Sequence, residues 1–304
     1  MKKTLNGIGD AAKSLPSDVW KSRKGYLFIL PSFIFFSLFY LIPMASSLIV
    51  SFMDYTPFST EWIGLTNYRQ IFNDPILFAA LRNNAIYTVA VVTLWLGKAL
   101  IIAFLIDPLS KRVQTFFKSA FYLPGVTSGV IISMIWLWIY NPSFGLLNNF
   151  LNSVGVSSQS WLGNTSLALP ALIFMQVVMG GGSSIILISA SMGRIPRSIY
   201  ESAILDGATK TRIFFSITLP LIKPVLLYLV VMGTINTFQV FEAVYIMTGG
   251  GPQFATTTIV YRIYETAFTN FNMGEAAAIS MILFVIIFTI AIVQFKWLST
   301  EVEY

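Results

Sequence analysis

The chain has 304 residues, of which 56% are apolar and only 11% are charged, and its mean hydropathy is +0.74. Soluble domains carry roughly 25% charged residues, so this composition excludes an ordinary soluble fold and favours a protein of the lipid bilayer. The sequence has no Cys and no His, which excludes disulfides and removes the commonest general base and metal ligand. We therefore expect neither a catalytic residue nor a metal site, although Asp, Glu, Lys and Ser keep catalysis open in principle.

Six apolar stretches are long enough to cross a bilayer as helices, which takes about 20 residues each. Their unbroken apolarity favours helices over barrel strands, which are shorter and alternate polar with apolar residues. We predict spans over residues 26–50, 85–106, 120–140, 167–192, 221–247 and 276–298, preceded by a tail over residues 1–25. The first stretch is too long for a cleaved signal peptide, and further spans follow it. The sequence therefore predicts an all-α membrane protein whose domain, residues 26–304, has six transmembrane helices.

The basic residues lie mostly on one side of these predicted spans. That side has Lys2, Lys3, Lys13, Lys21, Arg23, Lys24, Lys111, Arg112, Lys118, Arg194, Arg197, Lys210, Arg212, Lys223 and Lys296. The other side has Arg69, Arg82 and Arg262. The positive-inside rule predicts that the first side, and with it both termini, is cytoplasmic. The net charge of +6 then reflects topology, and we expect no nucleic-acid partner, which would need a concentrated basic face.

Polar residues inside the second and fourth spans have more than one interpretation, because polar groups at membrane depth face either a cavity or another helix. Lys98 lies inside the second span. It could snorkel towards the cytoplasm, pair with a carboxylate or meet an anionic solute, and we favour a structural role. Gln176, near the middle of the fourth span, could contact a solute or bond a neighbouring helix. Glycines 180–182 could serve close helix packing or ligand contact.

The connection between the fourth and fifth spans, residues 193–220, is the longest polar stretch on the predicted cytoplasmic side. Pro196 and Ser198 indicate the start of a helix, and Glu201 is expected in its first turn, where an acid suits the helix dipole. Gly207 is expected to end this helix, whose apolar face would include Leu205. A second short helix is predicted over residues 209–217. Such a loop predicts a docking surface, and the alternative is an ordinary amphipathic connector.

In the fifth span, an apolar run is interrupted by Asn236, Thr237, Gln239 and Glu242. Glu242 lies within reach of the predicted outer interface, so a solvated position and a place in a solute path both stay open.

The loop resembles the EAA loop of ATP-binding-cassette importer permeases. The segments that carry this resemblance are Tyr200-Glu201-Ser202-Ala203, Asp206-Gly207-Ala208 and Ile217-Thr218-Leu219-Pro220. Ser202 stands where the family usually has its first Ala, and both are small. Other segments resemble the carbohydrate branch of the family, which includes the maltose-transporter permeases. They are Thr66-Asn67-Tyr68, Phe121-Tyr122-Leu123-Pro124, Trp161-Leu162-Gly163, residues 238–241 and residues 248–252.

This resemblance implies a type I importer permease, one half of a pore in a prokaryotic inner membrane. The implied partners are a second homologous permease, two ATPase subunits and an extracellular solute-binding protein, which residues 248–252 would contact. The residues implied in coupling to the ATPase are Tyr200, Glu201, Ser202, Ala203, Asp206, Gly207, Leu219 and Pro220. Among them, Glu201 would pair with an Arg of the ATPase. The partner would bind ATP and Mg²⁺, since Gly97-Lys98, the only Gly-Lys pair, lacks the phosphate-binding pattern, and we expect no cofactor in this chain.

The resemblance to the maltose permeases also implies a solute path through Gln176, Met179, Gly180, Ser183, Gly233, Thr237 and Val240, to which we add Gln239 and Glu242. Phe238, Phe241 and Tyr245 would supply aromatic faces nearby. Several path residues are small or apolar where the maltose protein has Tyr or Asn. A sugar or oligosaccharide is therefore expected, but maltose itself is not implied.

Three alternatives stay open. Glycerol-3-phosphate or another small polar solute fits the same class, although an anion predicts cations in the path and only Lys98 is available. An ion-coupled secondary transporter predicts inverted repeats, broken helices and an intramembrane carboxylate, and the sequence has no convincing repeat. A membrane scaffold without transport activity does not account for the EAA-like loop.

Overall fold

The computed structural model describes residues 23–298. The predicted tail up to residue 22, with Lys2, Lys3, Lys13 and Lys21, lies outside the described residues, as do residues 299–304. The helices of the described part are α1 Arg23–Phe36, α2 Ile42–Val50, α3 Thr66–Phe72, α4 Pro75–Ile106, α5 Lys111–Val126, α6 Gly129–Ile139, α7 Leu146–Ser153, α8 Ala168–Met179, α9 Gly182–Met192, α10 Arg197–Leu205, α11 Lys210–Ile213, α12 Leu219–Leu221, α13 Lys223–Phe238, α14 Glu242–Met247, α15 Ile259–Tyr264 and α16 Met273–Leu298. The strands are β1 Met53–Tyr55 and β2 Thr60–Trp62, and the π-helical segments are Ser37–Leu41, Phe214–Thr218 and Glu265–Thr269.

The prediction of an all-α protein with six spans is confirmed, but two of the spans are sharply bent. Apolar helical segments of membrane-spanning length without a sharp bend cover Gly25–Val50, Pro75–Ile106, Lys223–Met247 and Met273–Trp297. The third span consists of α5 and α6, which meet at 95°, and the fourth consists of α8 and α9, which meet at 46°. The second span begins at Pro75 rather than at residue 85, because Asp74 caps the helix by accepting a hydrogen bond of 2.8 Å from the Ile76 amide.

Local backbone chemistry accounts for the breaks. In the third span, Thr127 and Ser128 have extended backbone, and the Ser128 hydroxyl caps α6 by accepting a hydrogen bond of 3.3 Å from the Val130 amide. In the fourth span, Gly181 has a φ of +98°, which a residue with a side chain rarely adopts. The fifth span is also interrupted, between the end of α13 at Phe238 and the start of α14 at Glu242. The structure therefore differs from the continuous helices predicted over residues 120–140, 167–192 and 221–247.

Helix α4 organises the bundle, because it contributes to all three buried apolar clusters. Tyr87 packs with the third, fourth and fifth spans, and Ala103 packs with α9 and α13. Leu77 packs with α15 and α16. Ala99 and Ala103 are both fully buried, and such small residues let neighbouring helix backbones approach closely. This central helix thus holds the broken spans against one another.

A short hairpin that the sequence did not predict lies between the first and second spans. Strands β1 and β2 pair antiparallel, with Met53 opposite Trp62. The buried amide of Asn67 donates hydrogen bonds of 3.0 and 2.9 Å to the carbonyls of Ser51 and Met53. Asn67 therefore ties the hairpin to α3. Phe58, at the hairpin tip, is 98% exposed.

Candidate solute cavity and coupling loop

A cavity of about 470 Å³ lies where the three broken spans meet, within the range of roughly 300–1,000 Å³ typical of small-ligand pockets. The third span contributes Thr127 and Gly129 from its break, the fourth contributes Gly180 and the fifth contributes Phe241. Tyr87 of α4 lines the same space. The other lining residues are Pro124, Gly125, Ile132, Ser133, Met175, Gln176, Met179, Asn236, Thr237, Gln239, Val240, Glu242 and Ala243. Residues at the three helix breaks therefore line a single cavity.

Most of the residues predicted for a solute path line this cavity. These are Gln176, Met179, Gly180, Thr237, Gln239, Val240 and Glu242. Ser183 does not, because it follows the 46° bend and is exposed on α9 outside the cavity lining. Gly233 does not either, because it packs against the second span: a Cβ at Gly233 would lie 2.7 Å from Cζ3 of Trp95. The part of the other seven in solute binding stays a prediction.

Lys98 stabilises the break in the fourth span. Its Nζ donates hydrogen bonds to the carbonyls of Val178 at 3.1 Å and Gly180 at 2.7 Å, and also to the carbonyl of Val177. The last carbonyls of a helix lack partners within the helix, and they form the negative end of its dipole. Lys98 supplies both the donors and the positive charge that the end of α8 needs. The structural interpretation therefore holds, with backbone carbonyls rather than a carboxylate as its partners.

The polar side chains of the cavity can bond a polyhydroxylated solute. The amides of Gln176, Asn236 and Gln239 have no hydrogen-bond partner within the described part of the chain. Thr237 and Ser133 donate to carbonyls one turn earlier, each at 2.8 Å, so their oxygens keep lone pairs that can accept from a solute. Each amide offers both donors and an acceptor. This combination matches hydroxyl groups, which donate and accept.

Aromatic rings continue from the cavity along α14 and α15. Phe241 lines the cavity and stacks on Tyr245, with ring centroids 5.3 Å apart and an interplanar angle of 19°. Tyr264 packs against both of these rings, at 5.1 Å from each. Phe238 does not belong to this group, because it points into the core and is only 6% exposed. Two of the three predicted aromatic faces are therefore near the cavity.

Glu242 is the acidic residue of the cavity lining. It begins α14, and its carboxylate lies beside the first residue of α6, where a Cβ on Gly129 would clash with Oε2. The start of a helix carries the positive end of the dipole, which favours a negative charge there. The ion pairs within residues 23–298 all involve Arg262, so Glu242 has no cationic partner in this part of the chain.

The loop between the fourth and fifth spans forms a helix–turn–helix, as predicted, with differences of detail. Helix α10 begins at Arg197, so Glu201 lies beyond its first turn rather than in it. Gly207 has a φ of +77°, and the Ala208 amide donates to the Ala203 carbonyl at 3.0 Å, which is the closing bond of a Schellman C-cap. The second helix, α11, is continued by a π-helical segment to Thr218 and by α12 to Leu221.

The predicted coupling residues occupy two faces of this loop. Tyr200 and Ala203 face the bundle, and the Tyr200 hydroxyl lies 3.3 Å from Oγ1 of Thr218. The exposed members are Glu201, Ser202, Asp206, Gly207 and Pro220, and Leu219 is half-buried. Leu205, predicted to belong to an apolar face of this helix, is 88% exposed beside Ile204, which is 62% exposed. The end of α10 is therefore an apolar knob next to acidic side chains.

Sequence reasoning missed Thr127, Gly129 and Ser133 as lining residues, because it treated residues 120–140 as one helix. The segment from Pro124 through Ser128-Gly129 was an available signal, since Pro, Gly and a capping Ser interrupt helices. Tyr87 offered no such signal, because nothing in an apolar helix distinguishes a cavity wall from a core position.

Broken spans that meet at a polar cavity are characteristic of a membrane transport protein. The chain belongs to the family described as "Binding-protein-dependent transport system inner membrane component", which matches residues 99–299. It is therefore a multi-pass membrane permease of the importer class that the loop motif indicated.

Named relatives agree with this assignment. A "Probable ABC transporter permease protein YurN" of Bacillus subtilis is 37% identical, over 91% of this chain and 97% of that protein. The "sn-glycerol-3-phosphate transport system permease protein UgpA" of Yersinia enterocolitica is 30% identical, over 92% of this chain and 95% of that one. A solved bacterial ABC transporter involved in the import of the acidic polysaccharide alginate shares the fold, with a TM-score of 0.82 and 24% identity over 93% of this chain and 98% of that one.

Family membership favours the importer permease over the ion-coupled secondary transporter. Broken helices were expected only of the secondary transporter, yet they are present here. Helix breaks alone therefore do not separate these two classes.

Proposed function

We propose that this chain forms one half of the translocation pore of an ATP-driven importer for a sugar or oligosaccharide. The observation that carries the proposal is the cavity, where unpaired amides, hydroxyl oxygens and the Phe241 ring meet at three helix breaks. Hydroxyl groups of a sugar bond amides, and the apolar face of its ring packs on an aromatic face. The permease would offer this site between its inward-open and outward-open states.

The exposed loop supports coupling to a separate ATPase. The knob of Ile204 and Leu205 would enter a groove of the ATPase, and Glu201 would pair with an Arg at its edge. A partly buried ion pair fixes geometry more than it adds affinity. ATP and Mg²⁺ would be bound by that partner, and closure of two ATPase subunits would move the loops of both permeases.

The importer would be an assembly of several chains in a membrane. A second homologous permease would complete the pore, and an extracellular solute-binding protein would deliver the solute at residues 248–252. The solved alginate importer, which shares this fold, was also obtained in complex with a substrate-bound periplasmic protein. The chain would lie in a prokaryotic inner membrane with both termini and the coupling loop in the cytoplasm, as the distribution of basic residues predicts.

A second candidate solute is glycerol-3-phosphate, because several relatives about 30% identical are named for its transport. The cavity offers this anion polar partners. The acidic residue in the lining argues against it.

The test is ATP hydrolysis by the reconstituted assembly with its binding protein and a panel of sugars. We expect at least one sugar to stimulate hydrolysis and Glu201→Ala to reduce that stimulation about tenfold, which corresponds to ~1.4 kcal/mol. Glu61→Ala, which removes an exposed acid of the hairpin, is the matched control and should behave as wild type. Copurification without an ATPase, together with uptake driven by an ion gradient alone, would contradict the proposal.

A further inference from the structure

Among the described residues, the cavity lining contains one acidic side chain and no basic one. Within residues 23–298, the lining residues with titratable side chains are Tyr87 and Glu242. We infer that the cavity admits neutral and amino sugars and excludes anionic solutes, with Glu242 as the residue that determines this specificity. The inference rests on the proposed sugar import, and it names the charge class of the sugar.

Lys98, the cation inside the second span, does not offset this charge. Nζ of Lys98 is bonded to the carbonyls of Val178 and Gly180, as well as to that of Val177. These carbonyls are the negative end of the α8 dipole, so the charge of Lys98 is matched locally. Lys98 is not part of the cavity lining. Among the residues that the structure describes, an anionic solute would therefore meet no free cation on this wall.

The position of Glu242 directs its carboxylate into the solute space. Its side chain is exposed to the cavity, and the absence of a side chain on Gly129 leaves room for Oε2 against α6. The neighbouring residues Phe241 and Gln239 line the cavity as well. A sugar that stacks on Phe241 would thus lie beside the carboxylate.

Hydrogen bonding to Glu242 also favours neutral and amino sugars over anionic solutes. A carboxylate only accepts, and its charge-assisted bonds to hydroxyl or ammonium donors are stronger than neutral ones. The hydroxyl groups of a uronate or of glycerol-3-phosphate can also donate to Glu242, but the anionic group adds acceptors and a like charge, so the carboxylate repels it. Because the Glu242 side chain is exposed, added salt should weaken this repulsion.

This inference departs from what the relatives would suggest. The printed names include a transporter of glycerol-3-phosphate and an importer of an acidic polysaccharide, both of which carry anions. Here the lining chemistry of the chain points to the opposite charge preference.

The experiment measures binding of matched sugars to the permease–ATPase assembly in lipid nanodiscs by saturation-transfer NMR. The ligands are the pairs glucose and glucuronate, galactose and galacturonate, and mannose and mannuronate, with glucosamine as the cationic member. Leaving out the binding protein removes its own selectivity. We expect a neutral sugar to bind at least about tenfold more tightly than its uronate, and glucosamine to bind at least as tightly as glucose.

Variants of Glu242 test whether its carboxylate determines the preference for neutral sugars over uronates. Glu242→Gln should reduce the neutral-to-uronate ratio below about threefold, and Glu242→Asp should keep it. Glu61→Gln, which removes an exposed acid outside the cavity, should leave the ratio unchanged. If Glu242→Gln does not fold, the wild type still provides a test, since added salt screens the repulsion and should narrow the ratio.

Two results separate the failure of this inference from that of sugar import. Equal binding of a neutral sugar and its uronate, or an unchanged ratio in Glu242→Gln, overturns the inference while sugar import stands. If neither neutral nor charged sugars bind, and none stimulates ATP hydrolysis, sugar import is contradicted and the inference falls with it.

Discussion

Lys98 donates a hydrogen bond of 2.7 Å to the carbonyl of Gly180, and so joins the second span to the break in the fourth. This contact explains how a Lys can occupy a membrane span, where an unpaired charge costs about 2.5–3.5 kcal/mol on insertion scales. The same contact defines one wall of the cavity, because Gly180 lines it.

Replacement of Lys98 by Met should destabilise the permease by about 2–3 kcal/mol, since hydrogen bonds to a charged group are worth about 1.5–3 kcal/mol. Thermal unfolding of the assembly in nanodiscs measures this, with the exposed Lys111→Met as control. Unchanged unfolding of the Lys98 variant would show that the carbonyls of the break do not depend on it.

The ring of Trp95 requires Gly233 opposite it. Gly233→Ala would place its Cβ 2.7 Å from the Trp95 ring, and overpacking of this kind costs about 1–3 kcal/mol. Trp95→Phe removes the clashing atoms, so it should suppress much of the cost. A double-mutant cycle in thermal unfolding should return a coupling of at least about 1 kcal/mol, whereas simple additivity would contradict this contact.

If α10 docks into an ATPase as proposed, its apolar knob of Ile204 and Leu205 should control assembly without affecting the fold. Leu205→Asp places a charge at a position that is 88% exposed, so the permease should unfold as wild type does. Copurification with the ATPase should fall by about tenfold, because the charge would have to be buried in the groove. Phe58→Asp, at the 98% exposed hairpin tip, is the control, and an equal loss in both variants would contradict a specific interface.

Arg262 forms an ion cluster on the predicted outer side. Near neutral pH, the stability of a variant without Arg262 should depend on pH, whereas that of the wild type should not depend on this group. Arg262 lies 3.1 Å from Asp74, 2.9 Å from Glu265 and 3.9 Å from Glu275. Burial lowers the pKa of Arg262, but its hydrogen bond to Glu265 and the surrounding carboxylates raise that pKa above its ordinary value overall. A raised Arg pKa contributes stability that is lost only at strongly alkaline pH, so this group should not change wild-type stability near neutrality.

Arg262→Met should cost about 2–3 kcal/mol near neutral pH, less than for a fully buried pair, since it leaves the carboxylates facing one another. Lowering the pH to about 5 should shrink this deficit, because repulsion favours protonation in the folded state. Unfolding measured across this pH range tests the sign: a deficit that grows as the pH falls would contradict it.

Composition and hydropathy were sufficient to predict a membrane protein and the number of its spans, and the motif of the loop indicated its family. They could not predict the three breaks, because a break depends on local caps such as Ser128 and on partners far along the chain. Lys98 illustrates this: its residue type marked it as unusual, but only the packing of the second span on the fourth reveals that backbone carbonyls are its partners.

Some cavity residues could likewise be identified from the sequence, whereas other predicted ones do not line the cavity. Gln176 and Thr237 were identifiable as polar groups at depth, and both line the cavity. Gly233 and Ser183 were predicted by resemblance alone. They lie outside the cavity lining because of a ring from another helix and a bend of 46°, which a linear motif does not record.

A pocket made at helix ends also has an evolutionary consequence. Backbone amides and carbonyls at an interrupted helix keep their capacity to bond a ligand whichever side chains surround them. Exchange of a few lining residues can therefore change which nutrient is accepted while the shared backbone framework of the pore is inherited intact. Permeases that share one architecture can in this way come to import different nutrients.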